Sequence, residues 1–244
     1  MSEIGNVYCA VLAGGSGTRM NSPLPKQFMM LGNAPVFIHT LRTLLKNTKI
    51  KEIWLGSNGD WLELAKEQIA TYLGNNEKIK VCEGGSDREG TLLNIMAALS
   101  ANNKITDNDV ILIHDAVRPF LTNRIIDDVI CEMEFCDACN TVVPINDTVS
   151  RVSPENIVLD IPNRSELFAG QSPQGFRINK LLNAFNSLDV DTRKILTDTT
   201  KVCFVNGIEV HTVRGEFYNF KITTPYDLEV ANHVLAWIES IQNQ

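Results

Sequence analysis

The residues best suited to chemistry in this sequence begin with a glycine cluster that follows an apolar run ending at Ala13. The segment reads "VLAGGSGTRMNSPLPKQF", and its glycines are Gly14, Gly15 and Gly17. Backbone N–H groups approach an anion closely only where no Cβ intervenes, so glycines after a strand are typical of a phosphate site. Two cations, Arg19 and Lys26, follow seven positions apart. We expect the loop to hold a triphosphate, with both cations near its α-phosphate and pyrophosphate.

Other interpretations of this loop are a glycine-rich turn with solvated charges, a dinucleotide site and a P-loop. A dinucleotide fingerprint read from Gly15 requires glycine or alanine at position 20, where this chain has Met20. The Gly-Lys-Ser/Thr ending of a P-loop is absent. These departures disfavour a nicotinamide-dependent oxidoreductase and a P-loop kinase. The solvated turn stays open as an interpretation.

A second chemical segment is "ILIHDAVRPF", in which Asp115 stands at the end of an apolar run. A buried lone carboxylate is costly unless it is paired or bound to a metal, and Mg²⁺ commonly takes one or two carboxylates together with phosphate oxygens. We therefore expect Asp115 to bind Mg²⁺, with a structural ion pair to Arg118 as the alternative. Arg118 is also a candidate for gripping a second anionic group. His114 is either a packed core residue or a functional one.

The third candidate cation is Lys221 in "FKITTPYDL", because lysine is seldom buried without an anion; a snorkelling side chain is the alternative. The sequence shows no G-x-S-x-G and no cysteine with an obvious histidine partner. A phosphate nucleophile is already ionised at neutral pH and needs no general base. These residues predict nucleotidyl transfer from a nucleoside triphosphate to a phosphorylated acceptor, with cations neutralising charge at the α-phosphorus.

The elements that must position these segments follow from the hydrophobic pattern. Helical patterns alternate with five apolar, strand-like runs: "VYCAVL", "IKEIWLG", "KIKVCE", "DVILIHD" and "NTVVPI". This alternation predicts an α/β fold with a Rossmann-like, mainly parallel, twisted sheet and helices on both faces. Ligands bind beyond the carboxyl ends of such strands. The glycine loop, the "GGSDREGT" loop and "HDAVRP" all lie there, so we expect them to converge.

Two helix starts and one long excursion also stand out. We expect Asn33 to cap a helix that Pro35 begins, and Thr224 and Asp227 to form a capping box for the last helix. The segment 146–175 contains three prolines and many polar residues, and it is too long for an ordinary connection. A lid, an insertion or an arm that packs on a partner subunit would explain it. We treat residues 1–244 as a single domain carrying 146–175 as a protruding β-arm.

Composition limits the classes of partner. The 244 residues are 44% hydrophobic, enough for a real core, and the formal net charge of −7 argues against nucleic acid as the main partner. The apolar runs are too short to span a membrane, and six cysteines fit reduced thiols in a cytoplasm better than a disulfide framework. A zinc site of Cys131, Cys136 and Cys139 lacks a nearby fourth ligand, so buried small hydrophobes are the favoured interpretation.

An ordered set of motifs resembles the sugar-phosphate cytidylyltransferases, the family that includes the methylerythritol-phosphate and ribitol-5-phosphate enzymes. The motifs are "LAGGSGTRM…PKQF", "GGSDR", "HDAVRPF", "NDTVSR", "QSPQGF", "LTD" and "NFKITTPYDL". The likeness runs from about Val7 to Leu235. It implies the fold of the nucleotide-diphospho-sugar transferases, with a protruding β-arm.

The resemblance also implies a role for each matching residue. CTP would lie on the glycine loop, with Arg19 and Lys26 at its phosphates and Lys26 stabilising the transition state. The nucleotide-binding residues would be Leu12, Ala13, Gly14, Gly15, Gly17, Gly85, Ser86 and Thr91, of which the last three face cytosine and ribose. Asp115 would bind Mg²⁺, Lys221 the phosphates and Arg118 the acceptor. The arm would form a homodimer, in which Thr148 and Arg164 reach the acceptor site of the neighbouring subunit.

Within the family, "LAGG", "IPNRSELFAGQSPQGF" and "ILTDTTK" resemble the ribitol-5-phosphate branch. The resemblance therefore implies cytidylyl transfer from CTP to D-ribitol 5-phosphate, giving CDP-ribitol and pyrophosphate for cell-wall or capsule polysaccharide. The alternatives are 2-C-methyl-D-erythritol 4-phosphate as the acceptor and a non-catalytic nucleotide-binding protein. A reductase that supplies the acceptor is a possible further partner, and a cytoplasmic location is expected.

Overall fold

A mixed sheet of eight strands forms the centre of the computed structural model, which describes residues 3–15, 20, 22–189 and 198–242. The strands are β1 (Val7–Ala13), β2 (Met30–Leu31), β3 (Ala34–Pro35), β4 (Ile50–Ser57), β5 (Ile79–Glu83), β6 (Val110–Asp115), β7 (Ala138–Pro144), β8 (Arg151–Val152), β9 (Val158–Asp160), β10 (Phe168–Gly170), β11 (Gln174–Arg177) and β12 (Val210–Arg214). The α-helices of the described part are α1 (Val36–Lys46), α2 (Leu62–Leu73), α3 (Arg88–Asn102), α4 (Asn123–Glu132), α5 (Ile178–Ser187), α6 (Thr199–Val205) and α7 (Pro225–Gln242).

The strand order is β10-β7-β11-β6-β1-β4-β5, and β12 pairs with β7. Strands β6, β1, β4 and β5 are parallel to one another, and β12 is parallel to β7. Strand β11 runs antiparallel between β6 and β7, and β10 pairs antiparallel with β7. The prediction of a mainly parallel sheet is confirmed, and all five predicted strands are present. The antiparallel strand at the centre of the sheet was not predicted.

Helices cover both faces of the sheet because the central strands are apolar on both sides. Every residue of β1 and β6 is buried. Successive side chains of β1 alternate between two cores, with Cys9 and Val11 in one and Tyr8 and Ala10 in the other. Residues of α1, α2 and α4 close the first core, and residues of α3, α5 and α6 close the second. Such two-sided burial fixes the ends of the strands rigidly.

The two predicted helix starts had different outcomes. Helix α1 begins at Val36, and Pro35 occupies its N-cap position without a side-chain cap. The expectation that Asn33 caps this helix was wrong, because the chain first turns back so that β3 pairs with β2. The capping box of α7 is confirmed: Asp227 Oδ2 accepts from the backbone N–H groups of Thr223 and Thr224 at 2.8 Å. The backbone N–H of Asp227 donates to Thr224 Oγ1 at 3.3 Å.

The excursion after β7 is a small hairpin that stands apart from the main sheet. Strands β8 and β9 pair only with each other, and every residue of both is exposed. Strands β10 and β11 return to the main sheet. The predicted arm limits of 146 and 175 are therefore too wide at the carboxyl end, because residues 168–170 and 174–175 belong to the sheet.

The cysteines do not form a common cluster. All six are free thiols, with Cys139 buried and Cys131 exposed near the end of α4. The expectation of a buried small hydrophobe is met at Cys139 and wrong at Cys131. Across the described residues, no helix combines the length and apolar character that a membrane crossing requires.

Candidate active site

The carboxyl ends of four parallel strands stand level at one edge of the sheet. Glu83 pairs with Ser57, Ser57 pairs with Ala13, and Leu12 pairs with Asp115. A cleft of about 360 Å³ opens at this edge. It is lined by Leu12, Ala13, Gly14, Gly15, Lys26, Gln27, Asn58, Ser86, Asp87, Arg88, Thr91, Asp115, Val117, Lys221 and Thr223. The three segments that follow the strands meet here, as their positions predicted.

The first wall of the cleft is the glycine loop, which the buried side chain of Gln27 holds in place. The Gln27 amide donates to the backbone oxygens of Ala13 at 2.7 Å and Gly15 at 3.0 Å. A Cβ on Gly14 would lie 2.5 Å from Thr91 Oγ1, so only glycine lets the loop approach α3 this closely. The loop thus presents bare backbone to the cleft.

Lys26 enters the cleft from a short 3₁₀ turn over Lys26–Phe28. The turn is anchored by Phe28, which is fully buried and packs edge-on against Phe37 of α1 with ring centroids 5.4 Å apart. Lys26 itself is only 8% exposed. A lysine so deeply placed adds a positive charge to a small space that solvent screens poorly.

The opposite wall centres on Asp115, whose carboxylate contacts three cations. Lys221 Nζ lies 3.1 Å from Oδ2, Arg118 Nε lies 3.3 Å from Oδ2, and Arg88 Nε lies 3.4 Å from Oδ1. Burial alone raises the pKa of Asp115, but Lys221, Arg88 and Arg118 together hold the pKa of this carboxyl well below its usual range. The carboxylate is therefore ionised at any working pH.

For Asp115, an ion pair with Arg118 and the binding of a metal ion were given as alternatives, but one carboxylate can do both. The predicted pair with Arg118 exists, and so does a pair with Lys221, which contacts an anion rather than only snorkelling. Lys26, Asp115 and Lys221 share one cleft. Among the residues that line the cleft, the cations Lys26, Arg88 and Lys221 outnumber the carboxylates Asp87 and Asp115, and such a site is suited to holding phosphates.

Comparison with known proteins places this geometry in a family. The family model of 2-C-methyl-D-erythritol 4-phosphate cytidylyltransferase matches residues 7–237. This chain belongs to that family. A ribitol-5-phosphate cytidylyltransferase from Lactiplantibacillus plantarum is 42% identical over 227 residues, which are 93% of this chain and 97% of that protein. The family resemblance that the motifs indicated is therefore confirmed.

Solved structures of cytidylyltransferase family members share the fold. The 4-diphosphocytidyl-2C-methyl-D-erythritol synthase of Anaerococcus prevotii is 26% identical with a TM-score of 0.78, covering 95% of this chain and 96% of that chain. The 2-C-methyl-D-erythritol 4-phosphate cytidylyltransferase of Francisella tularensis is 27% identical with a TM-score of 0.77, covering 93% and 99%.

Arg88 lines the cleft of this cytidylyltransferase family member, but it was not predicted from the sequence. It is the first residue of α3, directly after Asp87, whose side chain caps the helix by accepting from the N–H of Gly90 at 2.7 Å. Arg88 Nη1 donates to Thr199 Oγ1 at 2.8 Å, while its Nε faces Asp115. Its position in "GGSDREGT", on a loop already assigned to the site, was the available signal.

His114 lies in the core and supports the Asp115 segment. The backbone oxygen of Arg118 can only accept, so His114 Nε2 carries the hydrogen of the 3.2 Å bond between them. Nδ1 must then accept from the Ser172 hydroxyl at 2.9 Å, and Ser172 Oγ in turn accepts from the Asp115 N–H at 3.2 Å. Of the two interpretations left open, the packed core residue is confirmed.

Four predicted residues in the described part of the chain do not line this cleft: Gly85, Arg118, Thr148 and Arg164. Gly85 lies behind it, where its N–H donates to Thr91 Oγ1 at 3.1 Å. Arg118 is turned to Asp115 and to the backbone oxygen of Asn219 at 2.9 Å. Thr148 and Arg164 are exposed on the excursion, and Arg164 donates to the Asn146 backbone oxygen at 2.7 Å. Gly17 and Arg19 lie outside the described residues.

Proposed function

We propose that this chain transfers the cytidylyl group of CTP to D-ribitol 5-phosphate, releasing pyrophosphate and CDP-ribitol. The observation that carries the proposal is the cleft shared by the glycine loop, Lys26, Asp115 and Lys221 at the carboxyl edge of the sheet. The name of the 42% identical relative supports ribitol 5-phosphate as the acceptor. The family model supports cytidylyl transfer and favours 2-C-methyl-D-erythritol 4-phosphate as a second candidate acceptor.

The chemistry requires two anions to be brought together. A phosphate oxygen of the acceptor attacks the α-phosphorus of CTP, the new P–O bond forms, and the bond to the β-phosphate breaks with pyrophosphate as the leaving group. The acceptor oxygen is already ionised, so no general base is needed. Lys26 and Lys221, with Arg88 between the loops, offset the charge that collects at the α-phosphorus.

The walls of the cleft suggest how CTP lies. The backbone of Leu12, Ala13, Gly14 and Gly15 faces the cleft and suits the triphosphate, with Gly17 and Arg19 as the predicted continuation of this site. Ser86 and Thr91 also line the cleft, and we place cytosine and ribose at these two residues. Gly85 holds Thr91 through the bond from its N–H to Thr91 Oγ1. The acceptor contact predicted for Arg118 stays a prediction.

A magnesium ion fits the residues at Asp115. Its carboxylate is ionised, lines the cleft and offers Oδ1, whose contact with Arg88 is long at 3.4 Å. Mg²⁺ prefers one or two carboxylates with phosphate oxygens and water as its other ligands. When bound, the ion would supply charge neutralisation on the triphosphate. Asp115 would hold it there, with Lys221 and Arg118 orienting the carboxylate.

We also propose that the chain forms a homodimer through the arm. Large apolar side chains are exposed on and beside the hairpin: Val152, Ile157, Val158, Leu159, Ile161 and Phe168. Isolated surface hydrophobics are ordinary, but so many on one short excursion mark an interaction surface. Thr148 and Arg164 do not line the cleft of their own chain, which supports the prediction that they serve the neighbouring subunit. A cytoplasmic location and a reductase partner stay predictions.

A product assay tests the reaction and the acceptor together. The purified protein is incubated with CTP, Mg²⁺ and either ribitol 5-phosphate or 2-C-methyl-D-erythritol 4-phosphate, and the nucleotide products are identified by mass spectrometry. We expect CDP-ribitol as the main product, with formation abolished by a chelator. Preference for the erythritol phosphate would correct the acceptor. CTP binding without turnover on either acceptor would support the non-catalytic alternative.

A further inference from the structure

A second group of chemically capable side chains lies at the opposite edge of the sheet. Glu132 ends α4, Cys136 follows four residues later in the loop before β7, and His211 is the second residue of β12. The parallel pairing of β12 with β7 sets His211 level with Cys139, at the amino end of β7. Gly175 of β11 pairs with both Cys139 and Leu112 of β6, so Asp115, at the carboxyl end of β6, is three residues or ~10 Å further along the strand direction. The group is therefore separate from the cleft.

The three side chains are already close to one another. One ligand atom from each of Glu132, Cys136 and His211 lies within 4.8 Å of the other two. His211 Nδ1 is 2.6 Å from Glu132 Oε1, and Cys136 Sγ donates to the Glu132 backbone oxygen at 3.3 Å. Glu209 Oε1 lies 3.6 Å from His211 Nε2, the ring nitrogen that does not face Glu132, where a carboxylate can orient the ring of a histidine that binds an ion through Nδ1. Small side-chain movements would bring this set to the spacing of a tetrahedral site.

The group is accessible from solvent. Cys136, His211 and Glu209 line a surface cleft of about 380 Å³, together with Asp137. All three members of the group are half-buried. An ion could therefore enter without any rearrangement of the fold.

The charge around the thiol favours a cation. Glu132 belongs to the group itself, and Asp137 and Glu209 line the same surface cleft as Cys136 and His211. These carboxylates attract a dication, whose binding displaces the thiol proton.

We propose that Glu132, Cys136 and His211 bind a zinc ion, with water in the fourth position. One sulfur, one imidazole nitrogen and carboxylate oxygens form a mixed set that suits Zn²⁺ rather than Mg²⁺ or Ca²⁺. The ion would join the end of α4 to β12 and so stabilise the sheet edge. The cysteine motif singled out in the sequence thus contributes Cys136 alone, and its missing partners come from α4 and β12.

Cobalt substitution tests this proposal, because Co²⁺ bound to a thiolate gives a charge-transfer absorption band. The full chain, chelator-treated and with thiols reduced, is titrated with Co²⁺ and then with Zn²⁺. We expect the band to saturate near one equivalent and to be lost as Zn²⁺ displaces Co²⁺. Calorimetry with Zn²⁺ should give a stoichiometry near one ion per chain. Absence of the band in the folded wild-type chain would overturn the proposal.

Matched variants locate the site. Cys136→Ser should abolish the band, and Glu132→Gln, which removes a charged ligand, should weaken binding. Cys131→Ser removes an exposed thiol from the same helix end, outside the group, and should keep the band. A band that survives Cys136→Ser or disappears in Cys131→Ser contradicts the assignment. Should Cys136→Ser fold poorly, His211→Ala serves the same test.

Two further readouts separate this site from the proposed transferase. Zn²⁺ should raise the Tm of the wild-type chain and of Cys131→Ser, but not that of Cys136→Ser, because only a site in the folded state stabilises it. Cytidylyl transfer should be unchanged in Cys136→Ser. Equal Tm increases in all three chains would show that zinc binds elsewhere, and this would refute the site whatever the transfer assay finds.

Discussion

His114 shows how a single buried residue can support the active site without entering it. Its two ring nitrogens are both used, one towards Ser172 and one towards the Arg118 backbone, so the ring fixes the turn that carries Asp115. Burial lowers the pKa of His114 to about 4. The folded state therefore holds the neutral ring, whereas the unfolded chain takes up a proton near pH 6.5.

This difference predicts a pH-dependent stability. Between pH 6.5 and about 4 the unfolded state binds more protons, so the free energy of unfolding falls as the pH falls, by an amount on the order of 3 kcal/mol across the window. His114→Gln should flatten this dependence. Denaturant unfolding at several pH values across the window gives the free energy of unfolding of both chains. The difference between the two chains removes the contribution of groups that titrate in both, such as His39. Parallel curves for the two chains would contradict the account.

Single residues were predictable where their chemical type is costly to bury. Asp115 and Lys221 were found because an ionised group at the end of an apolar strand needs a partner, and Lys26 because it follows a glycine loop. Arg88 and Gln27 were missed. The role of Gln27 is to bond two backbone oxygens of another segment, and this depends on how the chain folds back rather than on residue type.

At the scale of elements, the turn between β2 and β3 contacts α7, the last helix, and helps to hold it in position. Gly32 has a φ of +57°, and its N–H donates to Asn232 Oδ1 at 3.1 Å. A Cβ there would lie 2.6 Å from Leu235 Cδ2. Helix α7 begins shortly after Lys221, so this contact helps to position a cleft residue.

We predict that Gly32→Ala lowers the free energy of unfolding by about 1–3 kcal/mol, from backbone strain together with the contact to Leu235. Gly207→Ala is the matched control, because Gly207 has a φ of +70° and open space where the Cβ would lie. Gly207→Ala should lower the free energy of unfolding only by the part that comes from backbone strain. The excess loss in Gly32→Ala should disappear in a Leu235→Ala background. Denaturation of five chains shows this: the wild type, Gly32→Ala, Gly207→Ala, Leu235→Ala and the double variant of Gly32→Ala with Leu235→Ala. An excess that persists there would disprove the contact.

Elements were predictable where the hydrophobic pattern extended over many residues. They were less predictable where a strand depends on pairing with segments that are distant in sequence. The five strands that run in the same direction are rich in apolar and β-branched residues, and β1 and β6 are the most continuous apolar runs. Strand β11 reads only "QGFR", and it is a strand because β6 and β7 lie on either side of it. In the same way Asn33 looked like a helix cap, yet the pairing of Ala34 and Pro35 with β2 moved the helix start to Val36.

At the scale of the whole molecule, the proposed dimer makes each active site depend on two chains. In a two-fold dimer, Arg164 of one subunit would complete the cleft that contains Lys26 of the other. Lys26→Ala and Arg164→Ala should therefore each lose most activity alone. When the two variants are unfolded and refolded together, random pairing should restore about a quarter of wild-type activity.

Sedimentation of the refolded mixture gives the control for this experiment. A dimer with no recovered activity would mean that the arm does not complete the neighbouring site. Replacing Ile157 and Leu159, both exposed on the hairpin, by aspartate should yield monomers. Dimers that persist in that variant would place the interface elsewhere.

The whole chain carries a net charge of −7, yet its cleft is lined by three cations, Lys26, Arg88 and Lys221, and only two carboxylates, Asp87 and Asp115. The central claim is that these local cations stabilise the transition state of cytidylyl transfer. The most direct measurement is the single-turnover rate of CDP-ribitol formation by Lys26→Ala, with exposed Lys66→Ala as the control. Loss of a charge-assisted contact worth about 1.5–3 kcal/mol predicts a rate at least 10-fold lower in Lys26→Ala. The control should match the wild type, and an unchanged rate in Lys26→Ala would contradict the claim.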